Sequence, residues 1–235
     1  MNEHERHRQR VYKRFLREGL AGFEEHNAME FLLFLAHVRG DTNEIAHAVI
    51  DRFGSLSRAL DAPYEDLITV KGIGPTSAVV LKFIPQMCAY YLENKTKKNE
   101  KLNSSERMAD YLRPKFFGKT AEEFYMVALD EKSNILRCVQ ISAGTGNATS
   151  VAASKIVAEA VKAEAAAVVL AHNHPRGSAM PSASDLCATR AVMNALETVG
   201  VTLLDHLIFT ETEYLSFADS IYLQRIRDGL PGAQR

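Results

Sequence analysis

The chain has 235 residues, which is enough for one large domain or two small ones. Apolar residues make up 46% and charged residues 24%, as in ordinary globular proteins, and a net charge of -1 provides no overall field that would attract nucleic acid. The three scattered cysteines do not form a disulfide framework, the polar first ten residues do not form a signal peptide, and no apolar run could span a bilayer. These features predict a cytoplasmic protein.

The first part of the chain shows the periodicity of helices rather than the alternation of strands. The predicted helices occupy residues 4–18, 27–38, 43–53, 55–60 and 76–92. The first of them carries a row of basic side chains, which could contact phosphates or could simply face solvent. The charge-dense segment 94–101 predicts an interdomain linker, so residues 1–95 are expected to form a helical domain.

The segment Lys71-Gly72-Ile73-Gly74-Pro75 resembles the hairpin of a helix-hairpin-helix motif. Two glycines permit a tight turn, and N–H groups at the start of the next helix could hold a DNA phosphate. Lys71, Gly72 and Gly74 are therefore candidate residues for weak, nonspecific DNA binding. Pro75 removes one of the N–H donors, and the same turn would also serve as a corner that only packs two helices together.

After the linker, short apolar runs typical of strands appear. Residues 103–106 predict the start of a helix with Ser104 or Ser105 as its cap, and this helix is expected to stop before Pro114. A loop is predicted at residues 143–147. The predicted strands are 123–130, 135–142, 165–171 and 201–209, and the predicted helices among them are 154–165 and 185–199. Residues 103–227 are therefore expected to form an α/β domain, which makes the whole chain α+β.

The apolar run at residues 165–171 leads directly into His172-Asn173-His174. Alternate side chains of a strand point to the same face, so the two histidines are expected to project side by side from the strand's C-terminal end. Asp185 falls in the first turn of the next predicted helix and could reach back to them. Two histidines and one aspartate suit Zn²⁺ and leave a fourth position for water. The alternative interpretation is a pair of polar loop histidines followed by a helix capping box at Ser182 and Asp185.

This spacing, H-x-H-x7-S-x2-D, resembles the metal-binding signature of the JAMM (MPN) metalloproteases, and more narrowly that of their RadC branch. The resemblance covers nearly all of the chain. It implies a helix-hairpin-helix domain followed, at residues 103–227, by a cytidine-deaminase-like JAMM domain with a mixed sheet. It also implies a zinc peptidase or isopeptidase in which His172, His174 and Asp185 hold Zn²⁺ and Ser182 donates a hydrogen bond to the oxyanion.

In the JAMM family a glutamate at the head of the first long strand acts as general acid/base. Glu123 is assigned to this role here, with Glu122 as the alternative, because one step of strand register decides between them. His206 could support a ligand from behind or could be an ordinary hydrogen-bonded core histidine. Arg176 and residues 151–155 depart from the RadC pattern, and these departures concern the substrate groove rather than the metal ligands.

Two classes of function follow. The first is a zinc-dependent hydrolase that cleaves a peptide or protein substrate. The second is a DNA-associated accessory protein of repair or recombination, whose metal site is structural or vestigial. The sequence has neither the H-E-x-x-H helix of zincins nor the H-x-E and P-C-x-x-C pattern of deaminases. It identifies neither the substrate nor the oligomeric state.

Overall fold

The structure, a computed structural model, describes residues 3–37, 40–95, 101–143 and 149–229. The chain divides into two compact units, Met1–Cys88 and Ala89–Arg235. Most of the predicted linker and most of the predicted loop at 143–147 lie outside the described residues. The predicted domain limits, 1–95 and 103–227, stay a prediction.

The first unit is built of helices around an apolar core. The helices are α1 (Glu3–Glu18), α2 (Glu25–Ala36), α3 (Asn43–Phe53), α4 (Leu56–Asp61), α5 (Tyr64–Leu67) and α6 (Pro75–Lys95), of which α6 continues into the second unit. Residues such as Met29, Val49 and Leu81 are fully buried between them. Residues 3–37 and 40–95 contain no strand, so the prediction of a helical N-terminal region is confirmed. None of the described helices combines the length and apolar character needed to cross a membrane.

The second unit contains a sheet with helices on both faces. Its elements are α7 (Ser105–Phe116), β1 (Glu123–Leu129), β2 (Ile135–Ala143), α8 (Thr149–Lys162), β3 (Ala167–Asn173), α9 (Ala183–Glu197), β4 (Thr202–Phe209), β5 (Tyr214–Ser216) and α10 (Tyr222–Arg227). The strand order is β2-β1-β3-β4-β5. Only β3 and β4 pair in parallel, and the other neighbours are antiparallel. The predicted mixed sheet is therefore confirmed.

Alternate residues of the central strands divide between two apolar cores. On one face Met126, Val168 and Leu170 pack with side chains of α8, α9 and α10. On the other face Val127 and Val169 pack with side chains of α7. This strict alternation matters for function, because it determines which polar residues at the strand ends share a face.

Several helix boundaries differ from the prediction by a few residues, and two helices show why. The prediction that the helix after residue 103 stops before Pro114 is wrong, because α7 continues through Pro114 to Phe116. The buried ring of Phe116 packs against Tyr125 and Phe209, and this tertiary contact holds the last turn in place despite the proline. The helix predicted at 154–165 spans Thr149–Lys162, and Glu164 then adopts a left-handed backbone conformation (φ 51°) before the chain enters β3.

Candidate metal centre

The two predicted histidine ligands leave the C-terminal end of β3 on one face of the sheet. His172 is buried at the end of the strand, and His174 is half-buried one residue beyond it. The backbone at this end is fixed, since His174 N–H donates to the carbonyl of Phe209 on β4 at 2.7 Å. The ring of Phe124 stacks on the ring of His172 with the ring centres 5.9 Å apart.

Asp185 meets these histidines from the first turn of α9. The helix starts with a capping box, in which the Ser182 hydroxyl accepts from Asp185 N–H and the Asp185 carboxylate accepts from Ser182 N–H. The Ser182 hydroxyl also donates to the same carboxylate oxygen, Oδ2, at 2.6 Å. Two Ser182 donors thus hold Oδ2, and Oδ1 lies 3.3 Å from Nε2 of His172. The predicted cap and the predicted ligand therefore coexist in one residue.

The three side chains converge on a common point. Nε2 of His172 lies 3.0 Å from Nε2 of His174, and Oδ2 of Asp185 lies 3.6 Å from the latter. The candidate ligand atoms all lie within 4.8 Å of one another, so the group could hold a metal ion. It is the one such His, Cys, Asp and Glu group found among residues 3–37, 40–95, 101–143 and 149–229.

The remaining nitrogen of each imidazole also has a partner. Nδ1 of His174 lies 2.9 Å from the Ser178 carbonyl, which can only accept, so this nitrogen carries a proton. Nδ1 of His172 lies 2.9 Å from Nε2 of His206. Nδ1 of His206 in turn contacts the hydroxyl of Thr189 at 2.7 Å. His206 is therefore in direct contact with a candidate ligand. This contact is compatible with one of its two predicted roles, the support of a ligand from behind.

Charge at the site is concentrated on Asp185. Burial by itself would raise the pKa of this carboxyl, but the neighbouring imidazoles of His172 and His174 hold the pKa well below its usual range. The Asp185 carboxylate raises the pKa of His174, and the negative charge of Glu122 adds to that effect. Burial lowers the pKa of His206 well below its usual value.

Strand register separates the two candidate acid/base glutamates. Phe124 of β1 lies directly opposite His172 of β3, and directly opposed residues share a face. Glu123 therefore points to the opposite face, where its carboxylate accepts from Tyr125 O–H at 2.8 Å and pairs with Lys119 Nζ at 2.9 Å. Glu122, two residues before Phe124, falls on the histidine face and is exposed. The geometry thus favours Glu122 over Glu123, the residue first assigned to the role.

The hairpin residues lie in the first unit, in the turn between α5 and α6. Lys71 is exposed, and Gly72 has a left-handed backbone (φ 94°). A Cβ at Gly72 would approach Ile45 to 2.8 Å, so packing against α3 also requires glycine at this position. Gly74 has no such backbone requirement. The hairpin conformation is compatible with both of the alternatives, phosphate contact and simple packing.

Two polar residues that support the site were missed in the sequence. Thr189 follows Asp185 by four residues, which places both on one face of α9, and its hydroxyl donates to the Asp185 carbonyl at 2.6 Å. Asn173 accepts from Glu123 N–H at 2.7 Å and donates to the Ala121 carbonyl at 3.1 Å. The i, i+4 spacing could have pointed to Thr189. No local pattern marks Asn173, because its partners lie on another strand.

The protein belongs to the class of α+β proteins in which a five-stranded mixed sheet carries a His-His-Asp group at the end of a strand. Residues 102–222 match the model of the RadC-like JAB domain, which amounts to about half of the chain. The match begins just before α7 and ends at the first residue of α10, so it contains the whole sheet and all three candidate ligands.

Similar proteins extend the match into the first unit. A UPF0758 protein of Fusobacterium nucleatum is 29% identical over 220 residues, covering 91% of this chain and 95% of its own length. A UPF0758 protein of Ruegeria pomeroyi is 31% identical over 92% of this chain and 97% of its own length. One of Paraburkholderia xenovorans is 36% identical over 76% of this chain and 70% of its own length. The chain belongs to the UPF0758 family of RadC-like JAB domain proteins, which confirms the predicted family.

Proposed function

We propose that this protein is a zinc-dependent hydrolase of peptide or isopeptide bonds, with its active site at His172, His174 and Asp185. The observation that carries the proposal is the convergence of two imidazole nitrogens and one carboxylate oxygen at the end of β3. The amide class of substrate follows from the resemblance to the JAMM metalloproteases. A peptide or protein is therefore the expected partner at this site.

The donor set and its spacing fit zinc. Structural and catalytic Zn²⁺ sites are tetrahedral with ligand distances of about 2.0–2.1 Å, which separates neighbouring ligand atoms by about 3.3–3.4 Å. The separations here are 3.0 Å between the two Nε2 atoms, and 3.3 Å and 3.6 Å from these atoms to the carboxylate oxygens. Three protein ligands leave one position for water, as in catalytic zinc sites.

Zinc held by these residues would lower the pKa of a bound water molecule to about 7, so that hydroxide is available at neutral pH. Glu122 would serve as the general base and acid at this site, and its position on the histidine face and the effect of its charge on His174 support this role. Phe124 and the buried strand residues around it exclude water from the back of the site.

Ser182 was predicted to donate to the oxygen of the scissile carbonyl, and that role stays a prediction. In the structure its hydroxyl donates to Oδ2 of Asp185 and orients the carboxylate instead. Both roles would be possible if the Ser182 hydroxyl donates to Asp185 before the substrate binds and to the substrate oxygen afterwards. Ser182→Ala would then weaken both zinc affinity and turnover, whereas a purely catalytic serine would leave zinc affinity unchanged.

The test combines metal analysis with a screen for cleavage of a peptide library. His172→Ala and Asp185→Ala each remove a ligand, so zinc content and hydrolysis should be lost together. His4→Ala and Asp51→Ala are matched controls at exposed positions of the first unit and should retain both. Full zinc content in Asp185→Ala would remove this residue from the ligand set. A wild-type protein that binds zinc but cleaves no member of the library would favour the accessory-protein alternative.

That alternative, a DNA-associated accessory protein, is supported by the exposed Lys71 beside the left-handed Gly72 in the turn before α6. Contacts with phosphates predict weak binding that falls steeply as salt rises. A mobility-shift titration of duplex DNA should show this salt dependence, and Lys71→Glu should weaken the binding. Lys132→Glu, the same charge change at an exposed position of the second unit, is the control. Equal binding by the two variants would exclude the hairpin as the contact.

A further inference from the structure

Two buried polar side chains lie behind the candidate metal centre without belonging to its ligand set. His206 on β4 and Thr189 on α9 are each only 1% exposed. Together they form a continuous hydrogen-bonded row that runs from His172 to the backbone carbonyl of Asp185. Because an unsatisfied buried polar group is costly, each contact of the row must have one donor and one acceptor.

Thr189 determines which atom is the donor at each contact of the row. Its Oγ1 lies 2.6 Å from the Asp185 carbonyl oxygen, which can only accept, so the single hydroxyl proton is donated there. The same Oγ1 lies 2.7 Å from Nδ1 of His206 and therefore accepts at that contact. Nδ1 of His206 consequently carries a proton.

The proton on Nδ1 of His206 in turn determines which nitrogen of His172 carries a proton. His206 is neutral, because the rings of Phe124 and Phe217 enclose it and burial disfavours a charge. A neutral imidazole with a proton on Nδ1 has an acceptor at Nε2, and this Nε2 lies 2.9 Å from Nδ1 of His172. His172 must donate there. Its Nε2 is then left with a lone pair that faces Nε2 of His174 and the Asp185 carboxylate, and this convergence of acceptor groups is satisfied by a bound cation.

We infer that Thr189 and His206 are positioning residues that fix His172 in the one tautomer able to bind a metal ion through Nε2. The inference rests on the proposed function, because it concerns the same metal site. Asp185 then contributes twice, with its carboxylate as a ligand and with its carbonyl as the end of the row. His174 reaches the equivalent tautomer by a separate contact with the Ser178 carbonyl. Loss of such a supporting partner typically lowers metal affinity by about 10- to 100-fold.

The first experiment reads the tautomer directly in the metal-free, full-length protein. Nitrogen NMR of ¹⁵N-histidine-labelled protein distinguishes a protonated ring nitrogen from a bare one, and His172→Ala assigns the signals. At about pH 9, above the ordinary pKa of imidazole, His172 should carry its proton mainly on Nδ1. In Thr189→Val the preference should weaken. An equal or larger share of protonated Nε2 in the wild-type protein would overturn the inference.

The second experiment measures Zn²⁺ affinity by competition with a chelating dye. Thr189→Val keeps the size of the side chain, and both it and His206→Leu should weaken binding by about 10- to 100-fold. His206→Gln should restore part of the affinity, because its amide oxygen can accept from His172. Thr198→Val is the matched control, since Thr198 also donates to a carbonyl of α9 but is exposed. It should bind zinc like the wild type.

The two experiments separate failure of the inference from failure of the proposed function. Unchanged zinc affinity in Thr189→Val would overturn the inference and leave the metal site intact. A wild-type protein that binds no zinc would overturn the proposed function, while the tautomer of the metal-free protein would still decide the inference. If His206→Leu does not fold, Thr189→Val carries the test alone.

Discussion

Asn173, the residue between the two candidate ligands, points away from them and fastens β1 to β3. Its amide bonds the N–H of Glu123 and the carbonyl of Ala121, the backbone groups on either side of Glu122. The tripeptide His172-Asn173-His174 therefore does two things at once. It directs two imidazoles to one face, and it holds in place the backbone of the residue that we propose as the acid/base.

This arrangement predicts different outcomes for two neighbouring glutamates. Glu122→Gln removes the base but no ligand, so zinc content should remain and hydrolysis should fall by about 10²- to 10⁴-fold. Glu123→Gln weakens only the contacts with Lys119 and Tyr125 on the far face, so most of the activity should survive. Zinc analysis and cleavage rates of the two variants give the comparison. Loss of activity in Glu123→Gln alone, with zinc retained, would restore the original assignment.

The grouping of the three candidate ligands could be predicted from the sequence because their spacing is local. His172 and His174 lie on one strand, and Asp185 falls in the first turn of the helix that follows. The acid/base could not be decided in the same way. Glu122 and Glu123 are about 50 residues from β3, and only the register between the two strands shows which of them faces the histidines.

Among the secondary structure elements, α7, β4 and β5 are joined by one buried carboxylate. Oδ2 of Asp205 accepts from the hydroxyls of Ser105 at 3.1 Å and Ser216 at 2.6 Å. Oδ1 accepts from the N–H groups of His206 at 2.7 Å and Ala218 at 2.9 Å. Asp205 and His206 thus point to opposite faces of β4, one towards α7 and one towards the metal centre.

Removing this carboxylate should destabilise the second unit. Asp205→Ala leaves several buried donors without an acceptor, each of which costs about 1–3 kcal/mol, so the free energy of unfolding should fall by about 3 kcal/mol or more. Asp110→Ala, at an exposed position of α7, should change it by less than about 0.5 kcal/mol. Denaturant unfolding of both variants measures the difference. Similar unfolding midpoints would mean that water replaces the carboxylate at little cost.

Element type was predictable where a local period repeats over many residues, as in the helices of the first unit and in the apolar run of β3. Element ends depended on tertiary contacts that the local sequence does not contain. Phe116 extends α7 beyond Pro114 because its ring is buried against Tyr125 and Phe209. The Asp205 network likewise joins residues about 100 positions apart, which no local pattern could indicate.

At the scale of the whole molecule, each of the two compact units has an apolar core of its own. All three candidate zinc ligands belong to the second unit, and the hairpin belongs to the first. A ligand that binds only the folded state stabilises the unit that holds it, by about 2.7 kcal/mol at a free concentration 100 times its Kd. Zinc should therefore stabilise the two units unequally.

Hydrogen exchange with and without zinc tests this expectation along the chain. Zinc should slow amide exchange in β3 and α9, which carry the ligands, and should leave exchange in α3 unchanged. Removing the metal with a chelator should reverse the effect, and His174→Ala should show no response to zinc. Slowing of equal size in α3 and β3 would mean that the two units unfold as one cooperative structure. No slowing in β3 of a zinc-bound wild-type protein would mean that the metal binds elsewhere.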